Sequence, residues 1–235
     1  MKTAILLITG IYLQTALLMG AVGCSKREAE ILPASDSLSR SFLALGDSYT
    51  IGESVSSSDR FPAQTAAILQ SKGIAVSAPQ YIAKTGWTTD DLNDAINNTR
   101  LLPKYELVTL LIGVNDQFQG LDSGGYRKRF TDLLEKAISL AGSRVDHVFV
   151  LSIPDYGVTP FGGGSKKISK EIDDFNAINK EVTLAHYVTY IDITATSRLA
   201  ANDQSFTAYD GLHPSAKQYK QWAIKLAEVA ESVLH

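Results

Sequence analysis

The chain has 235 residues, of which 45% are hydrophobic and 20% are charged, and this is enough to bury the core of one domain. Its formal net charge of −3 excludes a general electrostatic attraction to nucleic acid. Cys24 is the only cysteine, so an intrachain disulfide is excluded as well.

The first 23 residues differ in kind from the rest of the chain. Lys2 is followed by an apolar run from Ala4 to Leu18, and small residues then lead to Cys24. This order is typical of a secretory signal peptide. The stretch that ends at Cys24 resembles the lipobox of bacterial lipoproteins, although Ala21 stands where leucine is more usual, and the resemblance implies lipidation of Cys24. The alternative is an uncleaved membrane anchor, for which the apolar run is rather short.

These features predict three segments. Residues 1–23 are a signal peptide of the lipoprotein type, residues 24–40 are a polar linker anchored by lipid, and residues 41–235 are the folded domain. Such a protein works outside the cytoplasm, on the periplasmic or cell-surface side of a bacterial membrane. Its contact with the membrane is the lipid on Cys24 and not a basic patch.

In the folded segment, apolar strand-like runs alternate with amphipathic helical patterns, which is typical of βα units and a parallel sheet. Several of the predicted strands are continuously apolar, as buried parallel strands are; the five are residues 42–45, 75–83, 107–112, 147–153 and 188–193. Apolar residues with a 3.6-residue period predict helices over about 62–69, 126–138, 172–182 and 219–233. Residues 194–209 lack a clear period and predict a long loop.

Polar motifs stand where the predicted strands end. Gly46-Asp47-Ser48 closes the first strand, Gly86 follows the second, Asn115 follows the third, and Asp210 and His213 precede the last helix. A serine hydroxyl needs a base to take its proton, and an aspartate three residues before a histidine can fix the tautomer of the imidazole. Taken singly, the serine could be a helix cap, the glycine a turn residue and the asparagine a loop residue that bonds its own backbone.

Together these motifs resemble, in order, the blocks of the SGNH (GDSL-type) hydrolases. The blocks are Gly46-Asp47-Ser48-Tyr49-Thr50, Gly86, Gly113-Val114-Asn115-Asp116 and Asp210-Gly211-Leu212-His213-Pro214. The resemblance implies a three-layer α/β/α sandwich, flavodoxin-like, with a five-stranded parallel sheet of order 2-1-3-4-5. It also implies a catalytic triad of Ser48, Asp210 and His213. The implied oxyanion hole consists of the Ser48 N–H, the Gly86 N–H and the Asn115 side-chain amide.

In that strand order, the loops after strands one, two and three converge at the topological switch point of the sheet. Loop residues that border this point offer aromatic and amide surface to an acyl or aryl group, and we expect substrate contacts from Trp87, Gln117, Phe118 and Tyr156. Asp47 and Asp116 are expected to hold their own turns by bonding nearby backbone groups. The histidines show no metal-ligand spacing, so we expect neither a metal nor a cofactor.

The chain is therefore predicted to be a serine esterase of the lysophospholipase, thioesterase or arylesterase type. It would hydrolyse a small-molecule carboxylic ester through an acyl-serine intermediate. A carbohydrate O-deacetylase and an acyltransferase are alternatives on the same fold, and a non-catalytic, lipid-tethered binding protein is an alternative of another class. No Gly-x-Ser-x-Gly pentapeptide occurs in the chain, which disfavours the α/β-hydrolase fold. The sequence does not indicate an oligomeric state.

Overall fold

The computed structural model describes residues 39–234. The predicted signal peptide, most of the predicted linker and the lipidation site Cys24 lie outside the described residues. Within the part of the chain that the structure describes, no helix is both long enough and apolar enough to cross a bilayer.

A five-stranded parallel sheet of order β2-β1-β3-β4-β5 forms the centre of the fold. The strands are β1 (Phe42–Gly46), β2 (Gln80–Ala83), β3 (Leu107–Leu111), β4 (Val148–Leu151) and β5 (Thr189–Ile191). Every residue of β1, β3 and β4 is buried, so both faces of the sheet are covered, which is why these strands are apolar throughout. The predicted fold class and strand order are confirmed.

Eight helices connect and cover the described strands. They are α1 (Ser48–Ile51), α2 (Phe61–Ser71), α3 (Thr89–Asn97), α4 (Val114–Phe118), α5 (Ser123–Leu140), α6 (Lys166–Ala185), α7 (Thr194–Ser197) and α8 (Ala216–Leu234). Side-chain caps fix where three of the longer helices begin. Thr88 and Asp91 form a capping box at α3, Asp122 accepts from the Gly125 N–H at α5, and Ser165 accepts from the Ile168 N–H at α6.

The helices form two layers. α2 packs against α8, and the rings of Phe61, Tyr219 and Trp222 lie between them with centroids 5.1–6.4 Å apart. α5 packs against α3 and α6, with the Tyr126 ring 4.6 Å from that of Phe175. Across the sheet, the connection from β1 to β2 runs in one direction, and the connections from β2 through to β5 run in the opposite direction. Right-handed crossovers therefore place these two groups of helices on opposite faces.

The predicted strands 147–153 and 188–193 are shorter in the structure, over Val148–Leu151 and Thr189–Ile191, and two other predicted segments differ more. The predicted strand 75–83 is a strand only over Gln80–Ala83, with an isolated bridge from Val76 to Arg40 before it. Pro79 separates the two pieces because it has no N–H to donate to the ladder. The predicted loop 194–209 contains α7 and two 3₁₀ turns, which are too short to produce a helical period in the sequence.

The sheet order brings three loops to one edge. β1 lies between β2 and β3, and Gly46 at its end is level with Ala83 on one side and Leu111 on the other. Beyond β3, Gly113 has a φ of +120°, a conformation that L side chains rarely adopt, and a Cβ at this position would stand 2.3 Å from the Tyr126 hydroxyl oxygen. The turn that leads into α4 therefore requires glycine.

Gly113→Ala is expected to reduce the free energy of unfolding by about 3 kcal/mol, because the backbone conformation is unfavourable for alanine and the new methyl group overlaps Tyr126. Urea unfolding measures the loss. Gly73→Ala is the matched control, since Gly73 has a φ of +84° with nothing within 4 Å of an added Cβ, and its cost is expected to be about 1 kcal/mol. Equal losses for the two variants would contradict the overlap.

Candidate active site

Ser48 is placed by a sharp turn from β1 into α1. The turn needs glycine at position 46, because a Cβ there would lie 2.1 Å from Thr50 Oγ1 and 2.3 Å from the Leu111 carbonyl oxygen. Asp47 caps α1: its carboxylate accepts the Tyr49 N–H at 3.0 Å. Ser48 is thus the first residue of a short helix at the carboxyl edge of the sheet.

A cavity of about 240 Å³ opens at this edge. The structure brings Ser48, Gly86, Asn115 and His213 together on its wall. Apolar and aromatic residues complete the lining, with one threonine; these are Tyr49, Thr85, Val114, Phe118, Tyr156, Phe161 and Leu212. Four polar groups from four separate loops therefore face one mainly apolar space, which is the usual composition of a small-molecule site.

His213 is held by Asp210. Its Nδ1 lies 2.6 Å from Asp210 Oδ2, and Asp210 Oδ1 accepts the backbone N–H groups of Leu212 and His213, each at 2.9 Å. The Tyr49 ring packs beside the imidazole at a centroid distance of 5.3 Å. Because Nδ1 is engaged by the carboxylate, Nε2 is the nitrogen left to act as a base.

Asp210 is a carboxylate over nearly the whole pH range. Burial raises its pKa, but hydrogen bonds from Ser54, from His213 and from two backbone N–H groups outweigh the burial and lower the pKa from 3.8 to about 2. A carboxylate that stays ionised beside an imidazole favours the protonated imidazolium. This is the charge arrangement that a histidine general base needs when it takes up a proton.

Three hydrogen-bond donors stand close to the serine. The N–H groups of Ser48 and Gly86 donate to no other described residue, and Gly86 has a φ of +83°, the left-handed region that favours glycine. The Asn115 side-chain nitrogen donates one hydrogen to the Trp87 carbonyl oxygen at 2.9 Å. That bond fixes the amide and leaves its second hydrogen for the cavity.

The two acidic residues of the motifs have different partners. Asp47 bonds its own turn, as expected, and burial raises its pKa to about 8. Asp116 does not: it accepts the Thr89 N–H at 2.9 Å and the Thr89 hydroxyl at 2.6 Å, and Arg129 lies 3.3 Å away. Burial raises the pKa of Asp116 against these partners. The expectation for Asp116 was wrong because it is fully buried and its partners come from the start of α3 and from α5.

Nothing in residues 39–234 indicates a metal centre. Among these residues, no group of three or more His, Cys, Asp or Glu side chains is placed to hold a metal ion. The polar side chains that line the cavity are a serine, a threonine, an asparagine, two tyrosines and a histidine whose Nδ1 is already bonded to Asp210. This set suits proton transfer and hydrogen bonding.

Three aromatic rings form one wall of the cavity. Phe118, Tyr156 and Phe161 lie 6.2–6.4 Å from one another by ring centroid. Phe118 and Phe161 are 60% and 56% exposed, so this wall reaches the surface. Beyond Phe118 and Tyr156 lies a second groove of about 530 Å³ with polar and charged lining residues, among them Gln117, Lys167, Glu171 and Asp174.

The four residues expected to bind substrate do not all reach the cavity. Phe118 and Tyr156 line it, whereas Gln117 lines only the second groove and donates to Glu171 at 2.7 Å. The Trp87 side chain packs against the core, and only its carbonyl oxygen takes part, as the partner of Asn115. The direction of a side chain in a loop or a short helix depends on tertiary packing, which explains the difference.

Other residues at the site were not predicted from the sequence. Thr85 lines the cavity next to the motif residue Gly86, and Leu212 lines it from within the last motif, so their position in the chain was an available signal. Ser54 contacts Asp210 from 156 residues away in the sequence. No motif or period marks it.

Comparison with known proteins found a matching family model and structures of similar fold. The model of the GDSL-like lipase/acylhydrolase family matches residues 44–221. No curated protein matches the chain. Solved structures of similar fold include a lipase/acylhydrolase from Enterococcus faecalis, with a TM-score of 0.66 at 22% identity over 82% of this chain and 96% of that chain.

Two further structures are of the same kind. A lipase from a goat rumen metagenome has a TM-score of 0.67 at 22% identity, over 81% of this chain and 97% of that chain. An acetylxylan esterase from Geobacillus stearothermophilus has a TM-score of 0.63 at 16% identity, over 83% of this chain and 94% of that chain. At these identities the likeness establishes the fold.

The lowered pKa of Asp210 makes stability depend on pH. The pKa of Asp210 in the folded protein is about 2, below its ordinary value of 3.8. The ionised carboxylate therefore stabilises the fold at pH values above the ordinary pKa, and this stabilisation is lost as the pH falls through the pKa of the folded protein. Asp210 is an exposed residue, so solvent screening weakens the effect, and Asp210→Asn is expected to lose about 1 kcal/mol of unfolding free energy near neutral pH. The difference from wild type is expected to close as the pH falls from about 4 to about 2.

Urea unfolding at a series of pH values measures this difference. Asp94→Asn is the control, because Asp94 is exposed and its carboxylate makes no hydrogen bond with another residue of the described chain. This control is expected to follow wild type at every pH. A difference for Asp210→Asn that stays constant with pH would show that the carboxylate is not held in its charged form.

Proposed function

The chain belongs to the GDSL-like lipase/acylhydrolase family, and from this membership we propose that it is a serine esterase that hydrolyses carboxylic esters through an acyl-Ser48 intermediate. One observation carries the proposal: a single cavity joins Ser48, His213, Gly86 and Asn115, with Asp210 bonded to the far nitrogen of His213. A protein that only binds a ligand has no need of a serine, an oriented base and free donors in one place.

The proposed reaction has two halves. The Ser48 hydroxyl oxygen attacks the carbonyl carbon of the ester, and its proton passes to His213 Nε2. The tetrahedral intermediate collapses, the alcohol leaves with the proton from Nε2, and the acyl group remains on Ser48. Water then attacks the acyl carbon while His213 takes its proton. The second tetrahedral intermediate collapses, the acid is released, and the proton on Nε2 returns to the Ser48 oxygen. Asp210 keeps its negative charge throughout and stabilises the imidazolium.

The negative oxygen of each tetrahedral intermediate needs donors that are already in position. In this proposal they are the Ser48 N–H, the Gly86 N–H and the second hydrogen of the Asn115 amide. Support comes from the lack of any other described partner for the two backbone groups and from the bond that fixes Asn115 to Trp87. Donors fixed in this way need no reorientation when the charge develops.

The cavity favours a short acyl group. At about 240 Å³ it lies below the range of roughly 300–1,000 Å³ that is usual for sites of drug-sized ligands. Its aromatic wall suits an acyl or aryl group. We therefore place the enzyme with arylesterases and short-chain esterases first, and with lysophospholipases and thioesterases only where a longer chain can lie along the exposed rings of Phe118 and Phe161.

Carbohydrate O-deacetylation is a second candidate function, and the second groove favours it. A polar, charged groove borders the cavity across Phe118 and Tyr156, so an acetyl group in the cavity could leave a sugar in the groove. One of the structures of similar fold is an acetylxylan esterase. Acyl transfer to an alcohol would use the same acyl-Ser48, with the alcohol in place of water.

A panel of esters tests the function. It comprises aryl acetate, butyrate and octanoate, a lysophospholipid and an acetylated xylo-oligosaccharide. Wild type is expected to release acid fastest from the acetate or the butyrate, because the cavity is small. Ser48→Ala is expected to lower kcat by about 10⁴-fold or more, and Asn115→Ala by about 10²–10³-fold.

Ser143→Ala is the control, because Ser143 is an exposed serine at the end of α5 whose hydroxyl bonds no other described residue. It is expected to keep the wild-type kcat. The proposed esterase function is refuted if wild type hydrolyses no member of the panel, or if Ser48→Ala keeps full activity. Faster release from the xylo-oligosaccharide than from any aryl ester would favour the deacetylase.

We infer from the signal-like segment that Cys24 carries a lipid and that the enzyme is anchored outside the cytoplasm. Metabolic labelling with a fatty acid in a bacterial host is expected to mark wild type and not Cys24→Ala, because the lipid is attached through the only thiol in the chain. Both proteins are detected by immunoblot as the control for expression. If wild type is not labelled, Cys24 carries no lipid, and the signal-like segment is a plain secretory signal or an uncleaved anchor.

A further inference from the structure

Ser54 contacts the acid of the proposed triad, and we propose that it is a positioning residue that holds Asp210 for the reaction, with Glu53 holding the neighbouring loop. The two residues follow α1 and belong to neither the motifs nor the wall of the cavity. The inference rests on the proposed function, because it assumes that Asp210 orients the base.

The contact is a hydrogen bond to a carboxylate. The Ser54 hydroxyl donates to Asp210 Oδ2 at 2.5 Å, and the same oxygen accepts from His213 Nδ1 at 2.6 Å. The other carboxylate oxygen accepts the N–H groups of Leu212 and His213. Those two bonds come from the turn that contains Asp210 itself, so Ser54 is the donor that fixes the carboxylate relative to the rest of the fold.

The backbone of Ser54 is held in an unfavourable conformation. Its φ is +67°, and only Ser143 and Tyr187 share a positive φ among the described non-glycine residues. Tyr187 comes just after α6, where a left-handed residue commonly ends a helix, and Ser143 follows Gly142, the left-handed glycine after α5. α1 already has Gly52 as its left-handed cap, so Ser54 is not needed for that purpose. Glycine would adopt this conformation without strain, but only a side chain can supply the donor.

Glu53 makes the matching contact on the other side. Its carboxylate accepts the Thr85 hydroxyl at 2.5 Å, and Thr85 lines the cavity next to Gly86. The Glu53 N–H donates to the Ser48 carbonyl oxygen at 3.0 Å. Residues 53 and 54 thus join the turn that carries the nucleophile to the loop of an oxyanion donor and to the acid. These three parts come from separate loops, and their relative position decides whether the reacting atoms meet.

The Ser54 hydroxyl also affects the charge at Asp210. Its donation disperses part of the carboxylate charge, so its removal leaves a stronger negative charge beside the imidazole. The hydrogen bond from His213 Nδ1 would then meet a stronger acceptor. The other titratable groups around this pair are Tyr49, whose ring packs beside His213, and Tyr219; the charge of Asp210 acts on both phenols. They stay unchanged in the variants below.

The test compares Ser54→Ala and Ser54→Asn with Ser143→Ala and with Ser48→Ala. Ser54→Ala removes the donor, and Ser54→Asn keeps a donor on a residue that tolerates positive φ. Ser143→Ala is the control for backbone strain, because it places alanine at a second left-handed serine, with a φ of +62°. The readouts are kcat, KM and the pH profile of kcat/KM on the best aryl ester. Thermal unfolding shows that each variant is folded, and proton NMR at low field reports the hydrogen on His213 Nδ1.

Ser54→Ala is expected to lower kcat about tenfold with KM within about twofold of wild type. The acid limb of its pH profile is expected to move up by about half a pH unit, and the low-field resonance is expected to shift. Ser54→Asn is expected to recover part of kcat. Ser143→Ala is expected to leave every kinetic readout unchanged.

Each contrary outcome has a distinct meaning. If Ser48→Ala is inactive and Ser54→Ala matches wild type in kcat and pH profile, the esterase stands and the role of Ser54 is refuted. If Ser54→Ala loses activity but its profile and resonance are unmoved and Ser54→Asn gives no rescue, the loss is structural and the proposal is again refuted. If Ser48→Ala keeps full activity, the esterase fails and the role of Ser54 fails with it.

Discussion

The position of β1 between β2 and β3 determines where every functional loop lies. All strands are parallel, so their carboxyl ends share one edge, and the central place of β1 puts its loop between the loops of its two neighbours. Ser48 follows β1, while Gly86 and Asn115 follow β2 and β3. A different strand order would keep the same motifs in the sequence and separate them in space.

Buried carboxylates tie these loops to the layers of helices. Asp116 connects the turn of Asn115 to Thr89 and Arg129. Asp155 accepts from Arg198 at 2.9 Å and caps the turn of Tyr156 through the Gly157 N–H. A buried charge that loses its partners is strongly unfavourable, so each bond restricts the loop that carries it. The walls of the cavity are therefore positioned by polar contacts that lie beneath them.

The sheet and the motifs could be predicted from the sequence because both depend on local patterns. Apolar runs indicated five strands, several of them continuously apolar and buried, and the motifs at their ends indicated one edge of the sheet. Contacts between distant residues left no such pattern. Ser54 meets Asp210 across 156 positions, and the side chains of Trp87 and Gln117 turn away from the cavity because of packing that no local period encodes. Pro79 could have shortened the second strand in the prediction, since its missing N–H is a local property.

Phe118 lines both the cavity and the second groove. Its ring is part of the wall of the apolar cavity and of the polar groove beside it. In an ester that spans both, the acyl part and the alcohol part would touch opposite sides of one side chain. Selectivity for the acid and selectivity for the alcohol are then coupled, and an evolutionary path that enlarges the cavity at this position also alters which alcohols are accepted. A substitution of Phe118 would thus change the preference for the acyl group and the preference for the alcohol together.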